Sequence, residues 1–168
     1  MSVTSSRSAE IREVYEEFLA CIQSKECEAF TARRCASAIL QAMQKYCEKK
    51  SEDYYNDKLS IKGMEALLQS LREFRKPLDD LEKYCPSWAS KNKKTQQLND
   101  IKDLKNQRAH IQASLETYLQ YEKSKKNQIP NPDDETAYRF ARIKFGYALD
   151  DFVTFLGDLN DTIDMTDN

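Results

Sequence analysis

The sequence predicts an all-α fold: an up-down four-helix bundle with an additional C-terminal helix packed on its outside. Three observations point there. Only three glycines and four prolines among 168 residues leave little material for the tight turns of a β protein. Charged residues make up 32% and apolar residues 40%, the mix of helices with one wet face. Apolar residues also recur three or four apart along five separate stretches. A chain of this length fits one compact domain that buries roughly two-thirds of its unfolded surface.

The first helix is expected over about Ser8 to Ser24, where Ile11, Val14, Phe18 and Ile22 share a face and Glu10 and Glu13 suit the positive end of the helix dipole. The second, about Lys25 to Lys50, carries Phe30, Ala38, Met43 and Tyr46 and ends in lysines. Arg33 and Arg34 interrupt its stripe, which predicts a thinly buried face. Ser51 to Lys58 reads as a polar loop. The third helix, Leu59 to Tyr84, has the cleanest stripe, running from Ile61 through Leu71 and Phe74 to Leu81. Pro77 inside it predicts a kink near Phe74 and not a stop, because the apolar spacing continues across it. Pro86 ends that run. The fourth helix spans about Thr95 to Lys125 along Leu98, Ile101, Leu104, Ile111, Leu115 and Leu119. "KNQIPNPDDE" is a linker, so residues 1–126 form the bundle, 127–135 the linker, and 136–168 a final acidic helix and tail. That helix carries Phe145, Leu149, Phe152 and Leu156, and its Gly146 and Gly157 weaken it by roughly 1 kcal/mol each.

The net charge of −2 is unevenly spread. Residues 1–58 carry nine basic and ten acidic side chains (−1), residues 59–132 fourteen and nine (+5), and residues 133–168 three and nine (−6). A basic middle before an acidic end suggests a surface partner or an internal cover. Cys21, Cys27, Cys35, Cys47 and Cys85 form no C-x-x-C pair, and packed, reduced thiols suit a reducing compartment. The start lacks an apolar leader, Ser2 excludes N-myristoylation, and no membrane-spanning apolar run occurs. The expected location is the cytoplasm, with peripheral membrane attachment as a variant.

Catalytic chemistry is absent. There is no phosphate-cradling glycine loop, no G-x-S-x-G and no H-E-x-x-H. Adjacent pairs such as Asp79-Asp80 and Asp150-Asp151 point about 100° apart on a helix, as solvated faces do. The single histidine, His110, has Gln107 and not a glutamate three residues before it, so no di-metal carboxylate site can form. No cofactor or metal is expected, and the negative net charge argues against nucleic acid.

With these helices in view, "LSIKGMEALLQSLREFRKPLDDLEKYCPSWASKNKKTQQLNDIKDLKNQRAHIQASLETYLQ" resembles the back half of the four-helix bundle in the mixed-lineage kinase domain-like and fungal HeLo-type group. "EFLACIQSKECEAFTARRCASAILQAMQKY" is similar to that group's first helical hairpin, and the resemblance covers about Ile11 to Gln120. It is a pattern of spacings and carries no signature motif. The resemblance implies a non-enzymatic bundle that acts as an adaptor or engages anionic lipid, restrained by a following brace helix. By position, Lys91, Lys93 and Lys94 fall in the connector, Lys123, Lys125 and Lys126 end the fourth helix, and the acidic helix takes the brace position. A polar N-terminus and a modestly basic bundle depart from the membrane-disrupting members.

Two functional readings follow. One is a regulatory or adaptor domain in signalling that binds a protein partner. The other is a membrane-acting bundle held off by Phe145, Leu149, Phe152 and Leu156 of its last helix. A subunit of a larger coiled-coil complex, or self-association, is a weaker third. Trp88 has two readings: a plug for the bundle end, or an exposed anchor beside lysines. Lysines near an anionic leaflet contribute about 1 kcal/mol each. The membrane reading therefore requires binding to anionic vesicles that rises when residues 133–168 are deleted and falls on lysine-to-glutamate changes at positions 91, 93 and 94. Co-sedimentation in which neither form binds would end that reading.

Overall fold

The computed structural model describes residues 3–125, 132–163 and 165, with side chains omitted for 3–8 and 132–134. Among them are helices α1 (Val3–Gln23), α2 (Ala29–Tyr55), α3 (Ile61–Glu73), α4 (Arg75–Lys83), the single turn α5 (Cys85–Trp88), α6 (Lys94–Lys125) and α7 (Pro132–Thr162). The described residues contain no strand, and none of their helices is long and apolar enough to cross a membrane. The fold is all-α, as the composition predicts.

Side-chain contacts set the directions. Ser37 near the start of α2 meets Asn160 near the end of α7, while Tyr54 at the end of α2 donates to the Arg142 carbonyl near the start of α7. Glu65 of α3 pairs with Lys123, and Lys105 pairs with Asp79 and Glu82 of α4, so α6 runs opposite to both. α7 therefore runs antiparallel to α2, as α6 does to α3 and α4.

The predicted third helix is one rod broken at Phe74. Pro77 has no N–H to offer the Glu73 carbonyl. Phe74 N–H still donates to Ser70 (2.9 Å) and Leu78 N–H to Phe74 (3.1 Å), so Leu71, Phe74, Leu78 and Leu81 stay buried across the bend. Ser60 starts the rod, its hydroxyl accepting from Gly63 N–H. Pro86 lies in the first turn of α5, where its missing donor costs nothing.

Several boundaries differ from expectation. α2 does not stop at Lys50 but runs through the predicted loop to Tyr55, because neighbours bury its polar end. Lys50 lies over the Tyr46 ring and donates to the Gly63 carbonyl, and Ser51 donates to Asp150. Asp57, in the left-handed region at φ 56°, closes this end. α1 begins at Val3, before the predicted Ser8, and α7 begins at Pro132, inside the predicted linker. Linker residues 126–131 lie outside the described residues.

Two further expectations are corrected. Cys21 and Cys27 are not reduced thiols: they form a disulfide across the α1–α2 turn, with Cα atoms 5.3 Å apart. The cysteine pattern thus no longer argues for a reducing compartment. Cys47 and Cys85 are buried and free, and burial pushes their thiols up to about 12 and about 11. The second correction concerns α7. It lies in the groove between α2 and α6 and supplies a wall of the core, with Phe145, Leu149, Phe152 and Leu156 almost wholly buried. The helix laid against the outside is α1, which reaches the core through Ile11 and Phe18 and touches α4 through Tyr15–Asp80 and its C-cap residue through Phe18–Tyr84.

The glycines of α7 mark its close approach to α2. A methyl at Gly146 would sit 2.6 Å from the Tyr54 hydroxyl oxygen, which is held by its bond to Arg142. One at Gly157 would meet only the flexible amide of Gln44. Gly146→Ala should therefore destabilise by about 1–3 kcal/mol. Gly157→Ala should be neutral or gain up to about 1 kcal/mol in helix propensity. Urea midpoints of the two variants check the difference in sign.

Candidate functional site

The lysine-bearing connector between α4 and α6 begins in the interior. Trp88 is fully buried, and its indole N–H donates to the Leu81 carbonyl at 2.9 Å. Trp88 is the plug of the bundle end, and the exposed anchor is ruled out. Arg33 corrects a second expectation, since it does not thin out a face of α2: it is 1% exposed and donates to the carbonyls of Trp88 (3.1 Å) and Ala89 (3.3 Å). Beyond them, Ser90 N–H donates to Gln97 Oε1 (2.9 Å), and the buried Gln97 amide donates to the carbonyl and hydroxyl of Thr162 (both 3.1 Å). One polar chain thus joins α2, the connector, α6 and the end of α7.

The candidate lysines do not gather. Lys91, Lys93 and Lys94 are exposed at the start of α6, where Lys93 donates to the Thr162 carbonyl. Lys123 pairs with Glu65, Lys125 lies over the Tyr138 ring, and Lys126 lies outside the described residues. At 1.5 Å per residue, the two groups stand about 45 Å apart along α6. Nor are the candidate restraining residues a loose cover. Exposing Phe145, Leu149, Phe152 and Leu156 would forfeit about 6–12 kcal/mol at about 1.5–3 kcal/mol each, comparable to the whole stability of a domain.

What the bundle does expose is the opposite face of α7. Phe140, Ile143 and Tyr147, at helical spacings of three and four, are 70%, 53% and 67% exposed. They border a groove of about 710 Å³ against α6, with Gln107 and His110 on one wall and Phe155 farther along α7. Gln107 Oε1 is buried there with no hydrogen-bond partner among the described residues. Asp151 and Asp158 stand on the α7 rim. On α6, Asp103 lies one helical turn before Gln107 and Asp100 a turn before that. Burial, and then Asp103, push the Asp100 carboxyl above its ordinary value. This face was missed from sequence although a signal was present: Phe140, Ile143 and Tyr147 form a second apolar stripe beside the one read as core.

A second cleft of about 700 Å³ lies where α1 crosses the α3–α4 bend, rimmed by Arg12, Arg72, Arg75 and Lys76. Its arginines are engaged by Glu73, Glu116 and Asp79. No group of three or more His, Cys, Asp or Glu among the described residues could hold a metal ion. Compared with protein families, with curated proteins and with solved structures, the chain matches none.

If the connector is a structural lock, Gln97→Ala should cost about 2–3 kcal/mol by stranding buried backbone partners. Lys94→Ala, on the exposed side of the same connector, should stay within about 0.5 kcal/mol. Denaturant titration followed by Trp88 emission measures both.

Proposed function

We propose that this chain is a non-enzymatic helical-bundle adaptor or regulatory domain that acts through protein–protein interaction in signalling, with the α6–α7 groove as its docking face. The observation that carries this reading is the exposed stripe Phe140, Ile143 and Tyr147, with at least half of each side chain in water. Burying such a side chain is worth about 1.5–3 kcal/mol, and an apolar face rimmed by polar groups is how helix-binding surfaces present themselves. The membrane-acting alternative draws less support, since its lysines are divided between two ends of α6 and its tryptophan is buried.

The test is a photo-crosslinking amino acid placed at position 143 and, as a control, at exposed position 62 of α3. Crosslinking from 143 should yield a discrete adduct in native extract, suppressed by excess unmodified chain but not by a chain carrying Phe140→Ser and Tyr147→Ser. Equal adducts from both positions, or equal competition by the substituted chain, would overturn the reading.

A further inference from the structure

Building on that docking reading, we infer that the occupant of the α6–α7 groove is a basic amphipathic helix of another protein, whose apolar stripe covers Phe140, Ile143 and Tyr147 while its Lys and Arg side chains meet the acidic rim. Shape comes first. The exposed stripe follows α7 at spacings of three and four, and Gln107 and His110 of α6 line the groove with it. An amphipathic helix with apolar residues at i, i+3, i+4 and i+7 matches that form.

Charge then chooses among possible helices. Asp151 and Asp158 line the groove against the single cation Lys144, and Asp103 and Asp100 extend the acidic side along α6. None of these four aspartates is in an ion pair among the described residues, whereas the arginines of the second cleft are engaged by carboxylates. Burial, and then the neighbouring Asp103, disfavour the ionised form of Asp100, and an incoming cation would offset both. Gln107 Oε1, buried without a donor, can accept from a lysine or arginine reaching into the groove.

The same charges disfavour the other occupants. A second copy, docked groove to groove by two-fold symmetry, would bring two acidic rims into one interface. An anionic leaflet would meet the same repulsion.

The experiment uses the full chain and two fluorescein-labelled helical peptides with an identical leucine stripe, one flanked by Lys and Arg and the other by Glu, read by anisotropy. The basic peptide should bind about tenfold tighter or more, with an affinity that falls as salt rises. That preference should collapse in Asp151→Asn/Asp158→Asn and persist in Glu10→Gln/Glu26→Gln, on the α1 side of the bundle. Phe140→Ser/Tyr147→Ser, with native Trp88 emission confirming the fold, should lose both peptides. Equal binding of the two peptides would overturn the basic partner and leave the groove as a docking face. No binding of either would overturn the inference. So would a dimer in sedimentation that Phe140→Ser/Tyr147→Ser dissolves, which would identify a second copy as the occupant.

Discussion

The hydrogen-bonded chain from Arg33 through Trp88, Ala89, Ser90 and Gln97 to Thr162 is the constraint on which the arrangement of the bundle rests. All of these residues but the half-buried Thr162 are removed from water, and a buried polar group without a partner costs about 1–3 kcal/mol. The members therefore succeed together or not at all. Their joint satisfaction pins the start of α2, the connector, the start of α6 and the end of α7 at one end of the molecule. The lysines that follow Trp88 sit on the outside of this lock and owe their position to it. The break between two apolar helices is a cap.

With its last turn pinned, α7 has little freedom in how it lies between α2 and α6. Gly146 lets Tyr54 cross close to the backbone, and Tyr118 stacks on Phe145 at a ring separation of 5.5 Å. Phe145, Leu149, Phe152 and Leu156 then face the core, and the helix geometry turns Phe140, Ile143 and Tyr147 outward. A helix apolar on two sides cannot bury both in a bundle of this size. The inner side is needed for stability, which leaves the outer one in water. The same accounting makes release of α7 as a whole expensive.

Acidity divides the surface in the same sense. The C-terminal stretch that carries the excess negative charge is the stretch that exposes the apolar stripe, and its aspartates flank the groove. The basic middle is spread along both ends of α6 and the α3–α4 bend, where much of it is paired within the chain. A charge count along the sequence sees both halves but cannot tell a paired cation from an available carboxylate.

The sequence by itself determined the helical class, most of the core stripes of α3, α4, α6 and α7, and the bend at Phe74, but in α2 it picked Phe30 and Ala38 where Ile39 and Leu40 are the buried pair. What it determined follows from local rules: residue spacing and proline's missing donor. It could not decide the fate of Arg33, Trp88 or Cys21 and Cys27, since whether an arginine is buried, a tryptophan exposed or two thiols joined depends on segments distant in the chain. Only the tertiary structure assigned α7 to the core and α1 to the outside, because several amphipathic helices can share one interior in more than one way. The same choice decided which of the two stripes of α7 is covered and which stays in water.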